Sequence, residues 1–564
     1  MTALSRRSSA RTSPVGATVF RNGSLFDGFR YRGPVGAVLI EGGMITAVLR
    51  THEVGEIGDL AGRNAVEVDL AGGLLAPGFV DAHVHTVQGG LERIRCDLSG
   101  LRTREEYLSA IGAYAARHPE LTWILGGGWS QTAFPGGTPL AAELDRVVPD
   151  RPVFLPNRDH HGAWVNSQAL ERAGIGDDTP DPPHGRFERD AAGRPSGTLH
   201  EGAMRVVSKH LPDTTDEEYD RALLAGQAYL HSVGVVGWQD AIVGDYAGMD
   251  DAGPTYSRAA QRGELTADVV GALWWERDLG LEQVGSLVRR RSEYSHGHFR
   301  ATSVKIMLDG VVENGTAALG AAYLDGDPRR TGKTGHLFVD PQVLAAGVAR
   351  LEAEGFQVHV HAIGDRAVRE ALNAFAYAKA VRGDGHNLRH HIAHVQVVHP
   401  SDVPRFAELG VAANLQAVWA CRDKQMVDLT LPFLDEDRAG WQYPFRGLHQ
   451  AGARLVMGSD WPVSTPDPLA AIHVAVNRTL FGDGGPAGDE PFLAEQAISL
   501  ETAFEAYTSG SAWVNHRDAA GVVAPGRGAD LVVLDRDPFT GPAKLIGATW
   551  VVSTWIGGEV VFPR

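Results

Sequence analysis

Apolar runs of strand length recur along this chain, separated by stretches of helical texture, an alternation that predicts parallel βα units. They are Gly78-Phe-Val-Asp-Ala-His, Gly234-Val-Val-Gly-Trp-Gln-Asp, Ala267-Asp-Val-Val-Gly-Ala-Leu, Thr302-Ser-Val-Lys-Ile-Met-Leu, Phe356-Gln-Val-His-Val-His, Leu388-Arg-His-His-Ile-Ala-His, Gly410-Val-Ala-Ala-Asn-Leu and Arg454-Leu-Val-Met-Gly-Ser-Asp. Eight such runs predict an α/β fold, a (β/α)8 barrel over residues 76–514. The gap between the first and second is too long for one βα connection, so residues of about 100–225 are expected to form an inserted lobe over the barrel mouth. Trp123-Ile-Leu-Gly and Pro152-Val-Phe-Leu read as strands within it. Toward both ends the texture changes to brief β-rich segments broken by glycine pairs, as in Ala37-Val-Leu-Ile-Glu-Gly-Gly-Met-Ile and Thr549-Trp-Val-Val-Ser-Thr-Trp-Ile-Gly-Gly. Residues 17–75 and 515–564 are therefore expected to co-fold as a β-sandwich beside the barrel, after a disordered lead-in over 1–16.

Length agrees with this architecture, because 564 residues suit a large barrel plus a satellite domain. The net charge of −17, with no long Lys/Arg run, argues against nucleic acid as a partner. Only Cys96 and Cys421 occur, too few for a disulfide framework or a thiolate metal cluster, which favours a reducing compartment. Arg6-Arg7 lacks the apolar run of a twin-arginine signal, and no stretch of about 18 apolar residues exists to cross a membrane. A cytoplasmic protein acting on a small molecule, without membrane or nucleic-acid partners, is the expectation, and a homodimer is allowed. Two motifs are set aside. Gly326-Asp-Pro-Arg-Arg-Thr-Gly-Lys-Thr has five residues between its glycines where a phosphate loop needs four, and the sequons at Asn22 and Asn314 have no meaning without export.

Barrel chemistry sits at the C-terminal ends of the strands, so the informative question is which runs finish in metal-binding or titratable side chains. His83 and His85 lie two apart on the first run and share a face, where both imidazoles can meet one metal. Lys305 stands inside an apolar strand, where an ammonium needs a partner or a changed charge state; a salt bridge to Asp309 or Glu313 is one way to supply it. His359 and His361 share a face on the next run, and position nearer the strand end selects His361. The same argument selects His394 over His390 and His391, and Asp460 closes the eighth run at a sharp turn, where a helix cap is the alternative.

The segment Ala76-Pro-Gly-Phe-Val-Asp-Ala-His-Val-His resembles the first-strand signature of the amidohydrolase superfamily, His361-Ala-Ile-Gly-Asp its fifth-strand motif, and Gly458-Ser-Asp-Trp-Pro its eighth. That resemblance implies a distorted TIM barrel binding one or two divalent metals through His83, His85, Lys305, His361, His394 and Asp460. It also implies a carbamate on Lys305 bridging a metal pair, and Asp460 as general base. Gly126-Gly-Gly-Trp, Asp159-His-His-Gly-Ala-Trp-Val-Asn-Ser, Ser196-Gly-Thr-Leu-His-Glu-Gly-Ala, Asp309-Gly-Val-Val-Glu-Asn-Gly-Thr-Ala and Gly526-Arg-Gly-Ala-Asp are similar to the branch containing N-substituted formamide deformylases. Members of that branch usually carry Gly-His where this chain has His160-His161, and His161 is taken to reach the substrate, with Trp129, Glu201 and Asp309 as further pocket candidates.

The resulting expectation is a zinc hydrolase that cleaves a non-peptide amide, formamide or cyclic amide by attack of metal-bound hydroxide, with Asp460 as base and then acid. A lactone or ester hydrolase, or a deaminase, would use the same six ligands. A barrel that has lost its chemistry and only binds is opposed by all six positions being filled.

Overall fold

The computed structural model describes residues 16–56, 65–183, 185–246, 249–324, 332–383, 387–482 and 490–564. The expected lead-in, apart from residue 16, and the 326–331 part of the glycine-bounded loop lie outside the described residues.

The eight apolar runs become the parallel strands of one sheet: β1 (Phe79–Val84), β2 (Val235–Val243), β3 (Asp268–Trp274), β4 (Phe299–Met307), β5 (Gln357–Ala362), β6 (His391–His394), β7 (Ala412–Leu415) and β8 (Leu455–Met457). Neighbours in sequence are neighbours in the sheet, and the ends approach each other through Asp460 N donating to His83 O at 2.7 Å and His85 N donating to Trp461 O at 2.8 Å. The result is a distorted (β/α)8 barrel. Side chains of both strand faces are buried, as expected where helices cover a parallel sheet: Val269, Val304, Val358 and Val360 have no exposed surface. The eighth run turns sharply at its end. After Met457 the chain leaves the ladder, and Asp460 adopts a left-handed φ of 56°, which places its carboxylate at the mouth rather than along the strand.

The first barrel helix, α1 (Thr86–Ile94), starts directly after His85 and packs on α2 (Asp216–Ser232), which leads into β2. Thr215 caps α2 by accepting from Glu218 N, and three acids fill its first turn, where the helix dipole favours them. The two helices approach so closely at glycine that a Cβ on Gly90 would lie 1.9 Å from Ala222 O, and one on Gly226 2.6 Å from Thr86 O. That contact holds the start of α1, and with it His85, against the barrel.

Between α1 and α2 the chain builds a lobe around a six-stranded sheet running from Cys96–Asp97 to Gly185–Arg189. Its core contains Tyr107, Trp129, Leu144, Leu155 and Trp164. Beside the barrel, a four-stranded sheet from the N-terminal region and a six-stranded sheet share a core of Phe20, Leu25, Val38, Leu75, Leu531 and Trp555. The second sheet interleaves both chain ends, since Leu74–Pro77 pairs with Gly23–Phe26 on one side and Leu531–Leu534 on the other. Both cysteines are free and buried, and no helix among the described residues is long and apolar enough to cross a membrane.

Candidate metal centre

Alternation along β1 turns Asp81, His83 and His85 to one side, and the seam with β8 sets Asp460 against them. A single Asp460 oxygen, Oδ1, lies 3.0 Å from His83 Nε2 and 2.9 Å from His85 Nε2. Lys305, third from the end of β4, brings Nζ to 3.4 Å from His83 Nε2. His361 and His394, from β5 and β6, face each other with ring centroids 4.3 Å apart, and His394 lies 4.9 Å from His83. All six predicted ligand positions therefore line one cavity at the C-terminal end of the barrel. Donor atoms of His83, His394 and Asp460 come within 4.8 Å of one another, a set able to hold a metal ion.

Electrostatics prepare these groups as neutral or anionic donors. Burial, with Lys305 adding to it, pushes His83 down to about 3. Burial and neighbouring imidazoles hold His361 and His394 well below the ordinary histidine range. Asp460 resists its own burial through His83 and His85 and is held anionic. Burial brings Lys305 down to about 7, so its amine is substantially neutral near neutrality, with Asp460 opposing the shift.

The hydrogen bonding asks for a cation. Neither ring nitrogen of His394 has a partner, nor do His361 Nε2 and His85 Nδ1, although each is buried. A buried polar atom left unpaired costs about 1–3 kcal/mol, and several of them beside an anionic carboxylate form a site that a divalent ion satisfies. Imidazole and carboxylate donors are ligands that first-row divalent ions accept.

Around this group a further set of side chains fixes orientation. His359 Nε2 meets His83 Nδ1 at 2.9 Å, which leaves His83 Nε2 as the free donor when Nδ1 carries the proton. His391, behind it, is tied to Gln239 at 2.9 Å, and His390 to Glu352 at 2.9 Å; both lie away from the cavity. Asp81 accepts from His83 N and Ser459 N, stapling the seam, and burial raises it to about 7. Gln416 accepts from His394 N at 2.7 Å, and Trp419 stacks on the His394 ring. His394 itself has a φ of 78°, so two of the six positions occupy left-handed backbone at a cost of about 1–3 kcal/mol each. The surrounding fold holds that strain where the side chains must turn inward.

From the lobe, two histidine–glutamate pairs reach the mouth. His160 Nε2 lies 2.9 Å from Glu92 with Nδ1 at 2.6 Å from Gln88, and His161 Nδ1 lies 2.8 Å from Glu201. Burial opposes protonation of His161, but Glu201 overcomes it and raises His161 to about 9, while Glu201 is held low. An imidazolium therefore faces the cavity, 5.9 Å from the His361 ring. The other pocket candidates are placed differently. Trp129 is a packing residue: its ring is fully buried in the lobe core, and its Nε1 donates to Leu155 O. Asp309 accepts from Ala318, Ile363 and Gly364 N–H groups, holding the end of β5 near α3 (Asp365–Arg382); its nearest oxygen is 3.6 Å from His361 Nε2. Lys305 pairs with neither Asp309 nor Glu313 among the described contacts; Asp309 is occupied by backbone and Glu313 accepts from Thr430.

Sequence reasoning passed over Asp81, Gln416 and Trp419. Asp81 was detectable, because it shares the period-two face of His83 and His85. Gln416 repeats the inward alternation of Asn414 one step past β7, whereas Trp419 reaches His394 only through tertiary folding.

Comparison with known proteins agrees with this geometry. The amidohydrolase family model matches residues 66–562. The Bacillus subtilis (strain 168) protein named "Putative amidohydrolase YtcJ" is 30% identical over 502 residues, covering 88% of this chain and 90% of its own. The N-substituted formamide deformylase of Arthrobacter pascens is 26% identical over 552 residues, covering 94% and 95%. Among solved structures, a metal-dependent hydrolase of Pyrococcus furiosus superposes with a TM-score of 0.68 at 26% identity, over 93% of this chain and 100% of that one. Matched across nearly its whole length and carrying a donor set built for a metal, the chain belongs to the amidohydrolase family of metal-dependent hydrolases.

Proposed function

We propose that the protein hydrolyses a carbon–nitrogen bond of a non-peptide amide, formamide or cyclic amide, and that His83, His85, His361, His394 and Asp460, with Lys305 as its carbamate, would hold one or two divalent ions such as zinc. The observation that carries the reading is the convergence of unpaired histidine nitrogens on an anionic Asp460, faced across the cavity by the His161 imidazolium. Similarity to a formamide deformylase over 94% of the chain supports the choice of bond. When bound, the metal supplies Lewis-acid polarisation and lowers the pKa of water toward neutrality.

This chain's own residues do the rest. The largely neutral Lys305 amine adds to carbon dioxide and loses a proton, becoming an anionic two-oxygen donor without leaving its buried position. Asp460 accepts the proton of the attacking water as its oxygen bonds to the substrate carbonyl carbon. His161, charged because of Glu201, donates a hydrogen bond to the carbonyl oxygen as negative charge grows on it. Asp460 then returns its proton to the nitrogen, the carbon–nitrogen bond breaks, and a carboxylic acid and an amine leave. His359 and Gln416 keep His83 and His394 oriented throughout.

Screening N-formyl amines, simple amides, cyclic amides and lactones with zinc-loaded full-length protein tests the reading. At least one carbon–nitrogen substrate should turn over, and D460N should lose about 100- to 10,000-fold in kcat while keeping its metal. Turnover confined to lactones, or a D460N enzyme of near wild-type activity, would sink it.

A further inference from the structure

A larger cleft adjoins the catalytic cavity between the inserted lobe and the loops that follow β2 and β3, with His160 and Tyr246 in the wall common to both. Arg277, three residues past β3, lines that cleft, and its surroundings are unusual for a guanidinium. It lies 3.8 Å above the Phe338 ring, its Nη2 is 2.7 Å from Met307 Sδ, and its buried Nε has no hydrogen-bond partner. Phe338, Met307 and Trp274 form a small apolar cluster, so the half-buried cation rests on a surface that offers it a ring face but no counter-charge.

The acids nearby do not serve it. Glu201 is paired with His161, Asp278 lies 3.7 Å from Arg205, and Arg277 makes no ion pair among the described residues. Its charge nevertheless reaches the catalytic cavity, since it lowers both Glu201 and His161. Asp213, Asp245 and Asp250 also line the cleft, and burial together with repulsion from Asp245 and Asp213 pushes Asp250 up. A polyanion gains nothing in such a cleft; a single carboxylate presented to Arg277 does. Met307, the side chain under the guanidinium, shares the face of β4 with Lys305 and lines the catalytic cavity. Two residues of strand rise, roughly 7 Å, thus separate the guanidinium's support from the metal site, a span that a compact amide with a nearby acid group can bridge.

We propose that Arg277 is a specificity-determining residue that binds a carboxylate of the substrate, so that the bond cut belongs to a carboxylate-bearing amide such as an N-acylated amino acid. The identity of the bond rests on the function proposed above; the carboxylate site does not. Arginine is suited to the task because its planar fork meets a carboxylate with two parallel hydrogen bonds.

The test uses two matched pairs on zinc-loaded full-length protein. N-formylphenylalanine and N-formylphenethylamine differ by the carboxylate alone and report hydrolysis; 3-phenylpropionate and 3-phenylpropanol report binding by calorimetry without any reaction. The acidic member should be preferred at least tenfold in each pair, chiefly through KM in the first. In R277Q the preference should fall below threefold, with R277K in between, and melting temperatures show whether each variant is folded. If R277Q does not fold, R277K decides alone, because losing the fork must still erode the preference. Equal affinity of the two calorimetric probes for the wild type, or a preference that survives in R277Q, as a carboxylate held by the metal alone would give, overturns the proposal. If neither formyl compound is cut while calorimetry shows an Arg277-dependent preference, the formyl amide is not the bond cut and the carboxylate site stands.

Discussion

Replacing Glu201 with glutamine removes the anion that keeps His161 charged while preserving shape and hydrogen-bonding capacity. His161 is raised from an ordinary 6.5 to about 9 even though its burial pulls the other way. The net shift corresponds to about 3 kcal/mol favouring the charged form, and the pair is almost wholly buried, so solvent does little to screen it. Without Glu201, burial, with Arg277 adding to it, outweighs the attraction of Asp159, and His161 drops below 6.5. At pH 8 a group with a pKa near 9 is roughly 90% protonated, whereas one at or below 6.5 is roughly 3% protonated or less, so the working fraction falls about thirtyfold in E201Q. The pH profile of kcat/KM is the assay: the wild type should lose activity through a limb near 9, and in E201Q that limb should move below 6.5. Stability carries the same signature. A raised histidine pKa contributes stability that is fully present below 6.5 and is lost as pH rises through about 9, so the melting-temperature gap between wild type and E201Q should close above that point. An E201Q enzyme that retains its alkaline limb near 9, with activity at pH 8 within threefold of wild type, would refute the assignment of an obligatory imidazolium.

Other consequences follow from the same structure. K305A should bind about one equivalent of zinc fewer than wild type by elemental analysis; unchanged stoichiometry would show that the lysine bridges nothing. Chelation leaves the His361 and His394 nitrogens unpaired beside Asp460, so the melting temperature should fall on treatment with EDTA and recover with zinc, by about 4 kcal/mol of linkage at a thousandfold excess over Kd. G90A puts a methyl 1.9 Å from Ala222 O and should cost about 1–3 kcal/mol through a forced separation of α1 and α2, read as a lower melting temperature, while G100A, where a Cβ meets open space, should not.

Periodicity and strand length sufficed to locate all eight barrel strands, because a strand buried on both faces must be written as a continuous apolar run wherever it lies. They also marked the first site residues, since His83 and His85 two apart on a strand can only share a face. The same local rule could not choose between His359 and His361, which alternate identically, nor decide whether Lys305 meets a carboxylate or a metal ligand. Those choices depend on which side chains arrive from other strands. The seam between β1 and β8 brings Asp460 to His83 across more than 370 residues of chain, and the pairing of two lobe strands sets Glu201 beside His161. Trp129 shows the converse: its sequence neighbourhood suggested a pocket, and the lobe's need for a core claimed it. Charge states were likewise beyond the sequence, because the neutral lysine and the charged His161 are set by burial and by partners that only the closed barrel supplies. The chain's pattern thus determined the scaffold and the strand ends where chemistry could occur, and tertiary contact decided which of those groups meet and in what protonation state.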